Sequence, residues 1–566
     1  MRKVDRQAVS FLLTHDEPIP VRDGTVLRAD VYRPAEGGPV PTVLARNPYG
    51  PGMSRMVPVR AALDAGFAVV IQNCRGRGTS DGDFEPWRDE PADGADTVDW
   101  VAAQPWSDGN VTGWGVSYLA GTALQTAIER PAGYKALIAI QTPADFYDSL
   151  NYYGGAFALG SAQGWATLQG LLGGQHAMLA GEDAGPLLGA ALPAMLDPTA
   201  ARASLPLEPS LGLPAAMPAW ADWLRHPTRD EYWQSFASPR DNYERIALPT
   251  YHVAGWFDLF LAGTLENYQG LREGSVLVIG PWGHAGFMQT GIGEVDFGAM
   301  STAQPLMLDD DQFRFLREVC QDGTPAGQRP PVRIFVMGDN VWREEQEWPL
   351  ARAVSTSWYL QADGGLAPSP SSGAASSGES RYSSDPRDPV PTVGGNLLFP
   401  EYNAAGPHDQ RALDGRTDIL RFTSTPLAAD LEVTGALSVV LHAATDCVDT
   451  DWTAKLVDVH PDGAALNVAD GILRARYRNG FEAAELLTPG QPYEYVIDLA
   501  ATSQVFKAGH ALRVDIASTN FPRFDRNPGN GVVPAEATED DLTVQHQTVF
   551  HDAARPSRIV LPVIPR

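Results

Sequence analysis

Cysteine is scarce. The chain has three, Cys74, Cys320 and Cys447, far apart and without a Cys-x-x-Cys spacing. That argues against a disulfide framework or a thiolate metal site and fits a reducing compartment. Positive charge is also short: 42 Lys and Arg stand against 69 Asp and Glu, a net of −27. A surface this acidic repels phosphate backbones and anionic lipid, and no basic run offers a local exception. Neither a nucleic acid nor a membrane is expected as a partner. No stretch approaches the roughly 20 apolar residues that cross a bilayer. Near the N-terminus the only apolar run is Val9 to Leu13, too short for a signal-peptide core, so a cytoplasmic protein is expected. His-Glu-x-x-His and comparable ligand clusters are missing, and no metal or cofactor is expected.

What is present is length. The 566 residues could form about three to four domains. The first forty read as strands, with Arg22-Asp23-Gly24 as a hairpin turn between Pro18–Val21 and Thr25–Tyr32. Strands then alternate with helices. Val40–Ala45, the continuous apolar run Phe67–Ile71, Asn110–Trp114 and Ala136–Ile140 read as strands. Val59–Ala65, Thr97–Gln104 and Tyr118–Glu129 read as helices. This alternation predicts a parallel sheet covered by helices over residues 1–143. From 144 to 245 it breaks into an Ala-, Leu- and Trp-rich stretch with helical patches at Ala162–Leu172 and Met217–Arg225, read as a helical insertion. It resumes over 246–330 with strands Thr250–Ala254 and Ser275–Ile279 and a helix near Gly263–Leu271. Over 331–566 short strands (Val332–Met337, Ser355–Leu360, Leu431–Ala443, Tyr493–Leu499, Ala511–Ile516) predict a β-sandwich or jelly roll. Gly364–Glu379, dense in Ser, Gly, Ala and Pro, reads as a surface loop.

Chemistry concentrates in Gly113-Trp114-Gly115-Val116-Ser117-Tyr118-Leu119. A serine between a strand and a helix, with Gly two places before it, is the nucleophile-elbow pattern. The sharp turn strains the serine backbone and aims Oγ into the cleft at a helix N-terminus, whose amides favour a developing oxyanion. Leu119 departs from the pattern, which puts Gly two places after the serine. In such folds the acid and then the histidine follow on loops after later strands. His176 and His226 fall in the helical insertion and His252 inside a strand; His284, in Gly280-Pro281-Trp282-Gly283-His284, follows one. Asp258, ending Gly255-Trp256-Phe257-Asp258, follows another. The predicted triad is Ser117, Asp258 and His284. Arg75-Gly76-Arg77-Gly78-Thr79-Ser80-Asp81-Gly82 lacks the Gly-Lys-Ser/Thr of a phosphate loop and reads as a charge-paired structural loop.

These segments, with Arg46-Asn47-Pro48-Tyr49, Val336-Met337-Gly338, Asp449 to Asp458 and Ser518-Thr519-Asn520-Phe521-Pro522, resemble the cocaine esterase and Xaa-Pro dipeptidyl-peptidase family of serine hydrolases. The resemblance covers nearly the whole chain. It implies an α/β-hydrolase core, a helical cap inserted in it and a C-terminal jelly-roll domain. It also implies that Tyr49 donates its O–H to the oxyanion hole beside the Tyr118 amide. Trp165, Leu168, Phe260, Leu398 and Phe399 would line an aromatic acyl pocket. Ala120 stands where the family usually has Gly. Relatives are often dimers, so a homodimer is the assembly suggested by analogy. A small-molecule ester is the expected substrate; an Xaa-Pro dipeptide or an α-amino-acid ester is the rival. The rivals need a carboxylate for a free ammonium. The amino-ester hydrolases of the family place acids one or two positions after the triad aspartate, where this chain has Leu259 and Phe260. Asp145 and Asp148 remain as candidate replacements.

Overall fold

The computed structural model describes residues 10–50, 56–209, 212–323, 329–370, 378–398 and 405–566. A ten-stranded sheet is built from β1 (Phe11–Pro20), β2 (Val26–Pro34), β3 (Val40–Asn47), β4 (Ala68–Asn73), β5 (Ser107–Val116), β6 (Tyr134–Ile140), β7 (Thr250–Gly255), β8 (Val276–Gly280), β9 (Val332–Val336) and β10 (Val341–Glu345), in the order β1-β2-β4-β3-β5-β6-β7-β8-β9-β10. From β4 through β9 neighbours run parallel, and the flanking β1, β2 and β10 pair antiparallel. The parallel strands are buried on both faces, which is why they read as unbroken apolar runs.

Helices α1 (Glu90–Ala102) and α2 (Tyr118–Ile128) pack on one face. Helix α1 begins seven residues before the predicted Thr97, and Gly94 inside it serves as a contact. A Cβ there would come 1.9 Å from Thr126 Oγ1 on α2. Among the described residues between β6 and β7 the regular elements are helices, apart from a hairpin of two-residue strands, Tyr152–Tyr153 with Ala156–Phe157. The longest is α3 (Leu159–Ala180), the cap helix, which runs well past both predicted ends.

One placement needs correcting. Val332–Val336, grouped with the C-terminal strands on sequence, pairs in parallel with β8 and belongs to the first sheet, with β10 beyond it at the edge. The C-terminal β-sandwich therefore follows β10. A seven-stranded sheet centred on Leu431–Thr445 faces a four-stranded one of Leu420–Thr423, Ala511–Ala517, Asp451–Val459 and Ala465–Arg474. Between them lies an apolar core that includes Val439, Leu441, Trp452, Leu456, Tyr495 and Val514. Of the Ser- and Gly-rich stretch Gly364–Glu379 read as a surface loop, residues 371–377 lie outside the described residues, while Leu366–Ala367 forms a short strand paired with Tyr359–Leu360 and Glu379 begins another.

The sandwich holds the cap. Asp525 Oδ1 accepts the Phe157 N–H at 3.0 Å, and the Asp525 N–H returns to the Phe157 carbonyl. Arg474, buried between Asp451 and Asp525 at 2.8 and 2.7 Å, fixes that carboxylate. The start of α3 is thus tied to the C-terminal domain. No helix among the described residues is long and apolar enough to cross a membrane.

Candidate active site

Ser117 joins β5 to α2 with φ 60° and ψ −126°. A non-glycine residue there costs about 1–3 kcal/mol, a strain that clusters at functional sites. Packing enforces the turn. A Cβ on Gly115 would sit 2.1 Å from the Leu119 carbonyl carbon, so Gly at 115 is required. Leu119 needs no such replacement, since its side chain joins the buried cluster of Val43, Trp114 and Ile140. The Ser117 hydroxyl makes no capping bond to the helix, while the serine N–H is held by the Ile140 carbonyl at 2.9 Å.

The other two predicted residues lie at adjacent strand ends. Asp258 Oδ2 is 2.7 Å from His284 Nδ1, and Asp258 Oδ1 accepts the Phe260 N–H at 2.9 Å. The carboxylate is fully buried, and the imidazole keeps 14% of its side-chain surface exposed. Asn396, from a loop of the C-terminal domain after its strand Glu379–Ser384, donates to the Asp258 carbonyl at 2.8 Å. Nothing in the sequence marks this asparagine, since its partner is main chain.

Tyr49 follows β3 in a turn held by Asn47, whose Oδ1 accepts the Tyr49 N–H and whose Nδ2 donates to the Gly50 carbonyl. Its phenol oxygen accepts from Trp165 Nε1 at 3.3 Å. Burial raises its pKa, so it stays a neutral donor at neutral pH. Tyr118 contributes the first amide of α2, one of the N-terminal N–H groups that lie too early in the helix for an intrahelical acceptor. Its ring stacks between Trp87 at 3.8 Å and Trp165 at 5.8 Å, and its O–H donates to Glu90 at 2.9 Å. Arg46 pairs with Glu90 at 2.7 Å, both buried. The buried arginine of the Arg46-Asn47-Pro48-Tyr49 segment is therefore structural.

An apolar cavity opens on Ser117, lined by Trp165, Trp223, Leu259, Phe260 and Leu398 among others. Phe260 meets His284 edge-on at 5.5 Å between centroids. Trp223, from the cap, was not singled out on sequence; its Trp-rich surroundings look like ordinary core. Leu168, one turn beyond Trp165, is 37% exposed and is not among the cavity's lining. Phe399 lies outside the described residues. No Asp, Glu, Lys or Arg is among the described lining residues.

The two candidate replacement carboxylates are engaged elsewhere. Asp145 accepts the Tyr147 and Asp148 N–H groups and pairs with Arg229 at 2.9 Å. Asp148 faces Arg240 at 3.5 Å, and burial pushes its pKa up to about 7. Of the remaining histidines, His252 is fully buried and lowered by burial to about 3, and His226 pairs with Asp230 within the cap. His176 contacts the Gly78 carbonyl. The 75–82 loop is charge-paired through Arg75 with Asp93 and Asp23. One Asp-His-His group, Asp458, His460 and His510, has metal-ligand composition. It sits at the sandwich turns, away from the cavity, and its carboxylate is already bonded to His510 at 2.8 Å.

Comparison with known proteins agrees over the full length. Residues 23–286 match the X-Pro dipeptidyl-peptidase (S15 family), and residues 325–560 match the X-Pro dipeptidyl-peptidase C-terminal non-catalytic domain. The chain is 37% identical over 573 residues to the cocaine esterase of Rhodococcus sp. (strain MB1 Bresler), covering 97% of this chain and 98% of that one. The chain belongs to the X-Pro dipeptidyl-peptidase (S15) family. Solved structures similar to this S15 chain include an aminopeptidase from a marine sediment Thaumarchaeota archaeon (26% identity, TM-score 0.82) and an α-amino acid ester hydrolase (27%, TM-score 0.81). Each spans 100% of this chain and 98% of its own. As a member of the S15 family the protein is a hydrolase with an α/β core and a β-rich C-terminal domain.

Proposed function

We propose that the protein is a serine carboxylesterase that cleaves neutral aryl or acyl esters through an acyl-enzyme. Ser117 Oγ attacks the ester carbonyl while His284 takes its proton, and Asp258 holds the imidazole in the tautomer that leaves Nε2 free to accept. The negative charge on the tetrahedral oxygen meets the Tyr49 O–H and the Tyr118 N–H, with Trp165 Nε1 polarising the phenol from behind. His284 then protonates the leaving alcohol, and water, activated by the same ring, releases the acid. Aromatic and aliphatic walls around Ser117 suit an aryl acyl group, which stacks and excludes water at once.

The observation that carries the ester reading over a peptidase or amino-ester reading is the uncharged lining of the cavity. A free α-ammonium placed there would lose its hydration without gaining a carboxylate, a cost of several kcal/mol. Phenyl benzoate-type esters should therefore show kcat/KM at least about 100-fold above phenylglycine methyl ester or Gly-Pro-anilide, since each 1.4 kcal/mol is a factor of ten. Equal or higher values on the amino-bearing substrates would overturn the ester reading and leave the triad standing.

Tyr49→Phe tests the oxyanion role. Loss of one donor should lower kcat about 10²–10³-fold with KM little changed. A raised KM at constant kcat would make Tyr49 a substrate contact instead.

A further inference from the structure

We propose that Gln141 is a positioning residue that fixes His284 relative to both Ser117 and Asp258. The proposal rests on the reading of these three as the triad. Gln141 follows β6 directly and takes a left-handed φ of +48°, unusual for a residue with a Cβ. It has no exposed surface.

Its amide spans the histidine from both sides. Oε1 accepts the Ala285 N–H at 2.7 Å, and Nε2 donates to the Gly283 carbonyl at 2.9 Å. Only one orientation of the amide satisfies both, because the reverse would set NH₂ against N–H and oxygen against oxygen. The main chain beside it reaches the other two residues. The Ile140 carbonyl holds the Ser117 N–H at 2.9 Å, and the Gln141 N–H bonds the Val253 carbonyl at 2.8 Å in β7, the strand that ends three residues before Asp258. Gly255 makes room for this arrangement, since a Cβ there would lie 2.9 Å from Gln141 Nε2. Two consecutive residues thus touch all three triad segments.

Space-filling alone would not need glutamine. Methionine has the same length without donor or acceptor, and glutamate would turn a carboxylate oxygen toward the Gly283 carbonyl. Q141M should fold and lower kcat by about 10- to 100-fold, the scale at which small misplacement of a catalytic group is felt. KM should stay within about threefold, because the cavity lining is untouched. The rate at which a fluorophosphonate labels Ser117 should fall by a similar factor to kcat, since labelling uses the base but not the acyl pocket. A Q141M enzyme with kcat within twofold of wild type, or with KM raised and kcat and labelling unchanged, would overturn the proposal. Should Q141M not fold, Q141E is measured with the same two readouts, and failure of both to fold would make Gln141 a folding residue and sink a positioning role. Activity in Ser117→Ala would remove the underlying triad reading; an inactive Ser117→Ala beside an unimpaired Q141M would remove the clamp alone.

Discussion

Ser117→Ala should give a folded protein whose ester turnover has fallen by about 10⁶-fold, leaving only the roughly 10³–10⁴-fold advantage over water that oxyanion donors and binding supply. The two halves of that expectation have separate grounds. Stability should hold because the Ser117 hydroxyl caps nothing and alanine meets the same backbone strain at φ 60°. Activity should collapse because no other hydroxyl replaces it: Ser161, the other serine lining the cavity, bonds the Ala158 carbonyl on the cap. Aryl-ester assays beside a thermal melt check both. Residual turnover within tenfold of wild type would remove the whole proposal.

Asp258→Asn should cost about 10⁴-fold in kcat with little change in structure. The two carboxylate oxygens have different neighbours, the Phe260 N–H on Oδ1 and His284 Nδ1 on Oδ2. An asparagine can satisfy the Phe260 N–H only by turning its NH₂ toward Nδ1. That forces the imidazole proton onto Nε2, where the ring can no longer accept a proton from serine. Because Asp258 is buried without an exposed face, water cannot restore the lost acceptor. Steady-state kinetics of the variant check this, and a loss below about tenfold would mean that Asp258 merely packs.

Much of this was legible because short-range chemistry dictates it. Buried parallel strands such as Phe67–Ile71 announce themselves by their apolar runs, and the elbow and the loops carrying Asp258 and His284 follow strand ends in a fixed order. What was hidden depends on partners far along the chain. Asp451–Val459 is a central strand of the sandwich, yet Asp451, Lys455 and Asp458 interrupt its apolar pattern. Asp451 is affordable inside only because Arg474 pairs with it. The first turns of α1 stayed hidden because Gly94 sits there as a contact for Thr126 of α2, a partner far along the chain. Val332–Val336 reads the same whether it belongs to one sheet or begins another. In the site, Asn396 and Gln141 act through main-chain partners more than a hundred residues away, so no local motif could flag them. Asp145 looked available for an ammonium until Arg229 was found on it.

The central claim is an acyl group on Ser117. Rapid acid quench of the enzyme with a slowly deacylating aryl ester, followed by peptide mapping by mass spectrometry, reads it directly. The account predicts one acyl increment on the peptide containing Ser117, absent from Ser117→Ala. An increment on any other residue, or steady ester turnover with no adduct even when chemistry after acylation is slowed, would contradict it.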